Sequence, residues 1–135
     1  MKKVSIMIPC YNEQDNVHQI FNAVRDLFQK NLPEYDFEVV FIDNKSTDNT
    51  RKLLRELCLK DNHAKAIFNM KNFGQNNSPY YGLCQTTGDC AILLCADFQD
   101  PIELIPTMVR TATRHTSLHG SARRRLSWKP TSRSA

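Results

Sequence analysis

Two patterns of apolar and polar residues follow each other in turn along the chain. Together they predict a layered α/β domain. Continuous apolar runs rich in Val, Ile and Phe predict four buried strands, at residues 4–9, 37–43, 64–70 and 90–97. Segments with helical spacing or helix-boundary residues predict four helices, at residues 11–31, 46–61, 76–89 and 100–109. Strands that are apolar throughout and alternate with helices form parallel sheets with helices on both faces.

Polar residues follow three of the four predicted strands. Right-handed crossovers bring the carboxyl ends of parallel strands to one edge of the sheet, where ligands bind. The first strand leads to Pro9, Tyr11, Asn12 and Glu13, the second to Asp43, Asn44, Ser46 and Asp48, and the fourth to Asp97, Gln99 and Asp100. Acidic residues from three strands are therefore expected to meet at this edge.

Carboxylates gathered at one edge repel each other unless a cation lies between them. Asp97 and Asp100 are oxygen donors suited to Mg²⁺ or Mn²⁺, and such an ion commonly takes further ligands from substrate phosphates. The sequence contains no GxGxxG or GxxxxGK[ST] loop, which disfavours a dinucleotide oxidoreductase or a P-loop enzyme. The pattern favours a metal-bound diphosphate substrate. Helix capping is the alternative role of Asp100, which precedes Pro101, and of Asp48.

Charge divides the chain into two parts. Residues 1–109 carry 11 Lys+Arg and 14 Asp+Glu, whereas residues 110–135 carry seven basic residues and no acidic one. The second part has few aliphatic residues and no helical or strand period, which predicts a disordered tail. A basic tail can bind acidic membranes or nucleic acid, but an end unrelated to the domain explains the abrupt change better. We therefore expect no nucleic-acid partner.

Cysteine usage and hydropathy indicate a cytoplasmic protein. Five cysteines without a CxxC pair argue against a disulfide framework and indicate a reducing compartment. The longest apolar run, Cys90 to Ala96, is far shorter than the roughly 20 residues of a membrane helix. The first residues mimic a secretion signal, but YNEQDN stands where a cleavage site would need small residues.

Five motifs, in this order, resemble those of the family 2 glycosyltransferases, especially the branch of dolichyl- and polyprenyl-phosphate sugar transferases. They are VSIMIPCYNEQDNV, FEVVFIDNKSTDNT, NFGQ, TTGD and CADFQDP. The resemblance implies a Rossmann-like GT-A fold, in which a nucleotide-sugar half precedes an acceptor half. It covers about residues 1–109, which would be the nucleotide-sugar-binding part of a truncated domain, and leaves residues 110–135 as a non-homologous tail.

The resemblance also implies a nucleotide-sugar site at the strand ends. Asp43 matches the acid that accepts a hydrogen bond from the base. Asn44 and Lys45 stand where the family commonly has an acid and a glycine, a change expected to affect the ribose contacts. The positions that match the donor site are Pro9, Tyr11, Glu13, Asp43, Ser46, Asn72, Gly74 and Asp97.

A divalent metal, Mg²⁺ or Mn²⁺, belongs to the same resemblance. Asp97 matches the second acid of the DXD metal motif, Cys95 stands in place of the first, and Asp100 is a second candidate ligand. The metal would draw negative charge from the departing diphosphate. The sugar would pass from a UDP- or GDP-sugar to polyprenyl phosphate or a cell-envelope glycan.

The general base for an acceptor hydroxyl lies, in this family, after the residues that the resemblance covers, so no catalytic base is assigned. A catalytically incomplete nucleotide-sugar-binding fragment of a truncated or frame-shifted gene is therefore the alternative. Full-length relatives are often membrane-associated, which implies the cytoplasm or the cytoplasmic face of a membrane. A phospho-acceptor signalling module would need paired acids after the first strand, where only Glu13 stands.

Overall fold

Five parallel strands form one open sheet in the computed structural model, which describes residues 2–72, 81–119 and 124–126. The strands are β1 (Lys3–Cys10), β2 (Asp36–Asp43), β3 (Ala64–Phe68), β4 (Cys90–Leu93) and β5 (Arg124–Leu126). Their order across the sheet is β3-β2-β1-β4-β5, and every pair of neighbours is parallel. The predicted parallel α/β sheet is confirmed, with β1 at its centre and one strand more than predicted.

Helices follow the strands as the pattern predicted. Helix α1 spans Val17–Asn31, α2 spans Thr50–Lys60, and α3 spans Ile105–His119 after a 3₁₀ turn at Ile102–Leu104. Residues 81–84 are also helical, within the segment where a short helix was predicted. The first part of that segment, which includes Pro79, lies outside the described residues. No helix in the described part of the chain is both long and apolar enough to cross a membrane.

The core forms around β1 because this strand lies between β2 and β4. Ile6, Met7 and Ile8 are completely buried, which explains the unbroken apolar run in the sequence. Helix α1 packs onto the sheet through one apolar stripe of Val17, Ile20, Phe21, Val24 and Phe28. Each such side chain contributes roughly 1.5–3 kcal/mol when fully buried, so this stripe is a large part of the folding energy.

The predicted tail contains regular structure at residues 110–119 and 124–126. The expectation of disorder is wrong for these residues. Helix α3 continues to His119, and β5 pairs in parallel with β4. The buried stripe of α3 includes Ile105, Val109 and Ala112. One small alanine among Thr and Arg residues is a weak apolar signal. The sequence pattern therefore predicted that this helix ends at residue 109. The domain boundary at residue 109 stays a prediction.

A buried carboxylate, Glu38, anchors the amino-terminal end of the sheet. It is 1% exposed. It accepts hydrogen bonds from Ser5 Oγ at 2.6 Å, from the Thr87 N–H at 2.7 Å and from Lys65 Nζ. Burial raises the pKa of Glu38, but the hydrogen bonds from Lys65, Ser5 and Thr87 outweigh burial and lower it from 4.5 to about 2. The carboxylate therefore stays ionised inside the fold.

The TTGD motif packs against this same end of the sheet. The Gly88 N–H donates to Ser5 Oγ at 2.8 Å, and Asp89 accepts the Lys3 N–H at 2.9 Å. A Cβ atom at Gly88 would lie 2.5 Å from Ser5 Oγ, 2.8 Å from Ser5 N and 2.9 Å from Lys3 O. The motif thus holds β1 and β4 together at the end opposite to the predicted ligand edge.

Low pH should destabilise the fold, because Glu38 becomes protonated. Its pKa is depressed in the folded state, so its stabilisation is present above about pH 4.5 and is lost as pH falls towards 2. This loss is on the order of 3 kcal/mol in the free energy of unfolding. Glu38→Gln should remove this pH dependence, measured by urea denaturation from pH 2 to pH 6. Glu34→Gln, at an exposed acid, is the control, and equal effects of both variants would contradict the assignment.

Gly88→Ala should destabilise the fold by about 1–3 kcal/mol, because its Cβ would overlap backbone atoms that cannot move away. Gly82→Ala is the matched control, since its Cβ would meet the side chains of Ile42 and Met7 at 3.2 Å. Side chains can shift, so we expect a loss below about 1 kcal/mol there. Thermal and urea unfolding measure both variants. A loss at position 82 as large as that at position 88 would contradict this explanation.

Candidate functional site

The loops after β1 and β2 are locked together at the carboxyl edge of the sheet. Asn12, with φ 52°, accepts hydrogen bonds through Oδ1 from the Thr47 N–H at 2.8 Å and the Asp48 N–H at 3.4 Å. The Asn12 N–H donates to Ser46 Oγ at 2.9 Å. Asn tolerates a left-handed backbone better than most residues, and it supplies the amide oxygen that the second loop needs. The predicted meeting of these two strand ends is confirmed.

Asp43 ends β2 with a carboxylate that has no exposed surface. Its Oδ2 accepts the Ser46 N–H at 3.1 Å and Arg51 Nε at 2.5 Å, and its Oδ1 accepts the Ser46 hydroxyl. The predicted proximity of Asp43 and Ser46 is therefore correct. A base contact to Asp43 stays a prediction, and it would have to exchange with one of these donors.

Arg51 is the partner of Asp43 that the sequence reasoning missed. It lies in the first turn of α2, is one-quarter exposed, and also donates to the carbonyl oxygen of Asn69. Its guanidinium lies 5.5 Å from the centre of the Phe68 ring. The signal was an acid at the end of a buried strand, since such a charge requires a cation nearby. Arg51, eight residues after Asp43, supplies that cation.

The residues after β3 connect to the same edge through amide side chains. Asn44 donates from its amide to Asn72 Oδ1 at 2.7 Å, and Asn69 donates to Asn44 Oδ1 at 3.4 Å. Asn72 thus lies beside the end of β2, in contact with Asn44, the residue that follows Asp43. Gly74, the next predicted donor-site residue, lies outside the described residues.

The loop after β4 presents its two acids differently. Asp97 is exposed and accepts a long hydrogen bond from the Gln99 N–H at 3.4 Å, whereas Asp100 Oδ2 accepts the Cys95 N–H at 2.8 Å. Phe98 between them has φ 60°, an unusual conformation for a bulky residue and a form of strain found at functional loops. Asp100 therefore closes this loop, and the expectation that it caps the following helix is wrong.

The other predicted cap, Asp48, also differs in detail. Asp48 lies one residue before the N-cap position of α2, yet its Oδ1 accepts the Thr50 N–H at 2.9 Å. Glu13 organises the start of α1, because its carbonyl oxygen accepts the Val17 N–H at 3.1 Å and its carboxylate accepts the Asn16 amide at 2.9 Å. The Glu13 N–H also donates to Thr50 Oγ1 at 2.9 Å, which links the two loops again.

Two cysteines, Cys95 and Cys10, lie near the acids of this edge, and their pKa values are raised. Burial, a hydrogen bond to Asp100 and the charges of Asp100, Asp97 and Glu13 together raise the pKa of Cys95 to about 11. Burial also raises the pKa of Cys10, with additional effects of Asp43 and Glu13. Glu13 therefore lies within electrostatic reach of both thiols, and the acids after β1, β2 and β4 share one edge as predicted.

Pro9 and Tyr11 flank Cys10 at the end of β1. Pro9 pairs with Ile42 within the sheet and is half-buried, whereas Tyr11 is 49% exposed. An exposed aromatic ring beside an acidic edge is suited to contact a flat ligand. The roles of both residues in donor binding stay predictions.

Asp97 fits a divalent ion better than Asp100 does. Its exposed carboxylate retains lone pairs towards solvent, while Asp100 is engaged with the Cys95 backbone. Within the described ranges, no three His, Cys, Asp or Glu side chains form a group that could hold an ion by themselves. Mg²⁺ commonly binds one or two carboxylates and completes its shell with water and substrate phosphates.

The fold is that of an open α/β protein, a class in which ligands bind at the carboxyl ends of the strands. The family model described as "Glycosyl transferase family 2" matches residues 5–133. The chain therefore belongs to glycosyl transferase family 2, as the motifs implied. The match extends over most of residues 110–135, which had been expected to lie outside the family domain.

Curated relatives point in the same direction. The chain is 37% identical to an undecaprenyl-phosphate 4-deoxy-4-formamido-L-arabinose transferase of Proteus mirabilis (strain HI4320). The alignment spans 125 residues, which are 92% of this chain and 38% of that protein. The chain is also 34% identical over 107 residues to a bactoprenol glucosyl transferase of Shigella phage SfX, which covers 79% and 34%. The chain thus spans about a third of the length of these relatives.

Solved structures support the GT-A fold. The mannosyltransferase PcManGT from Pyrobaculum calidifontis, in complex with GDP-Man and Mn²⁺, matches with a TM-score of 0.66 at 19% identity, over 81% of this chain and 32% of that one. S. aureus TarS 1-349 in complex with UDP-GlcNAc matches with a TM-score of 0.62 at 24% identity, over 87% and 32%. At these identities the likeness concerns the fold alone.

Lys45→Gly should stabilise the protein. Lys45 has φ 64° and is exposed, and a left-handed backbone costs a non-glycine residue about 1–2 kcal/mol. Glycine relieves this strain but gains freedom in the unfolded chain, so we expect a net increase of about 0.5–1 kcal/mol in the free energy of unfolding. Urea denaturation measures it. Lys45→Ala keeps the strain and is the control; an equal gain from alanine would contradict the explanation.

Proposed function

We propose that this chain forms the donor-binding part of a glycosyltransferase that transfers a sugar from a nucleoside diphosphate to an acceptor. The observation that carries this proposal is the family match over residues 5–133. The gathering of acids from three strand ends at the ligand edge supports it, because a donor with a metal-bound diphosphate needs carboxylates there.

Each part of the donor has candidate partners at this edge. The base and ribose would lie near Pro9, Tyr11, Glu13 and Asp43, with Ser46 beside them. Asn72 would lie next to the donor on the β3 side, and Gly74 stays a donor-site residue by the motif match alone. Support comes from the structures that share the fold, which hold GDP-Man in one case and UDP-GlcNAc in another. UDP and GDP are therefore the nucleotides to test.

Asp97 is the residue that would hold Mg²⁺ or Mn²⁺. Asp100 would fix the loop that carries Asp97. When bound, such an ion supplies Lewis-acid stabilisation of the departing diphosphate. The chain's own contribution is to present one exposed carboxylate on a loop that the Asp100–Cys95 bond closes. Mn²⁺ in the Pyrobaculum structure supports a divalent ion in the proposal.

The acceptor proposed for the whole protein is a polyprenyl phosphate. The Proteus and phage relatives are named for transfer to undecaprenyl phosphate or bactoprenol. A lipid acceptor of this kind would place the reaction at the cytoplasmic face of a membrane, where nucleotide sugars are available. A cell-envelope glycan is the alternative acceptor.

Asp97→Asn should weaken metal-dependent nucleotide binding at least about tenfold, because the ion would lose its carboxylate ligand. Calorimetric titration of UDP and GDP into the chain, with and without Mn²⁺, measures this. Glu103→Gln is the matched control, since it removes an exposed negative charge six residues further along. It should leave binding within about twofold.

Three results would separate the alternatives. Binding of neither nucleotide by a protein shown to be folded by circular dichroism would overturn the donor site. Binding that Mn²⁺ does not enhance would overturn the metal assignment. Binding without sugar transfer to undecaprenyl phosphate would identify a donor-binding unit without turnover of its own.

A further inference from the structure

We propose that Arg51 is the positioning residue of the donor-base site. By fixing the Asp43 carboxylate as a hydrogen-bond acceptor, it would select a base with a ring N–H on its Watson–Crick edge, as in uracil or guanine. This inference rests on the proposed function, since it assumes that a nucleoside diphosphate binds at the end of β2.

The two carboxylate oxygens of Asp43 are held in different ways. Oδ2 accepts Arg51 Nε at 2.5 Å and the Ser46 N–H at 3.1 Å, so a cation and a backbone group fix it. Oδ1 accepts the hydroxyl of Ser46, which is a rotatable donor on a half-buried side chain. A base N–H can therefore replace the hydroxyl at Oδ1 while Arg51 keeps the carboxylate in place.

Arg51 also braces the neighbouring strand end. Its second nitrogen donates to the carbonyl oxygen of Asn69, and the Asn69 N–H donates to the carbonyl oxygen of Asp43 at 3.0 Å. Asn69 in turn reaches Asn44, which holds Asn72. One guanidinium thus fixes the ends of β2 and β3 together, a two-armed geometry that a lysine cannot reproduce.

The selectivity follows from the donors and acceptors of the bases. An ionised carboxylate only accepts, so it binds N3–H of uracil or N1–H of guanine and repels the N3 lone pair of cytosine. Without Arg51, the Asp43 carboxylate would lose the partner that fixes its orientation. A carboxylate free to turn could also accept a hydrogen bond from the N4 amino group of cytosine, so it would discriminate less against that base.

The test compares UDP and CDP binding in the presence of Mn²⁺ for four proteins: the unchanged chain, Arg51→Met, Arg51→Lys and Arg55→Met. Arg55 is the matched control because it lies 4.8 Å from the centre of the same Phe68 ring, yet among the described residues it pairs with no carboxylate. We expect Arg55→Met to change both affinities by less than about twofold.

Arg51→Met should weaken UDP binding at least about tenfold and bring the ratio of UDP to CDP affinity towards one. Arg51→Lys should keep the preference for UDP, since a cation remains beside Asp43, but should bind more weakly because it cannot also reach Asn69. If Arg51→Met fails to fold by circular dichroism, the lysine variant decides alone. UDP binding by a folded Arg51→Lys protein as tight as in the unchanged chain then overturns the inference.

The outcomes separate this inference from the proposed function. If the unchanged chain binds neither UDP nor GDP, the proposed function fails and this inference fails with it. If the unchanged chain binds UDP and both Arg51 variants retain its affinity and its preference over CDP, only the role of Arg51 is wrong. Equal binding of UDP and CDP by the unchanged chain likewise overturns the selectivity.

Discussion

The ion pair between Asp43 and Arg51 is the interaction on which the carboxyl edge of this sheet depends. A carboxylate without exposed surface at the end of an apolar strand cannot remain unpaired, and removing one partner of such a buried pair typically costs about 3–5 kcal/mol. The pairing has consequences beyond charge. It fixes the first turn of α2, closes the loop at Ser46 and joins the end of β2 to Asn69 after β3. The geometry available to a ligand is thus set by a requirement of folding.

Strand β2 carries one buried charge at each end, and the two serve different purposes. Glu38 near the amino end is held by Lys65, Ser5 and Thr87, and the glycine of the TTGD motif packs against that arrangement. Asp43 at the carboxyl end is held by Arg51. Family motifs therefore divide between the two ends of one sheet. The TTGD motif stabilises the fold, whereas the motifs around Asp43 and Asp97 form the edge where a ligand would bind.

The sequence was sufficient for the parts of the structure that depend on hydrophobic periodicity. Four strands, α1 and α2 follow from apolar runs and stripes, and parallel connections bring the strand ends together without further information. The partner of a polar side chain could not be predicted in this way where several partners were available to it. Arg51 looked like any surface cation on a helix, and Asp100 looked like a cap before Pro101. Their actual partners, Asp43 and the Cys95 backbone, become evident only when the loops are placed in three dimensions.

The loop after β4 shows how a departure from the family motif changes the chemistry that remains. Cys95 stands where the family often has an acid, and burial raises the pKa of its thiol, as do the neighbouring acids. A cysteine sulfur is a soft ligand that suits a hard cation such as Mg²⁺ poorly, so it is no equivalent of the missing carboxylate. Asp97 alone would offer one charged oxygen ligand, and an ion there would depend on the diphosphate for much of its coordination. Metal and nucleotide should therefore bind this edge together, each tighter in the presence of the other, as reciprocal coupling between two ligands requires.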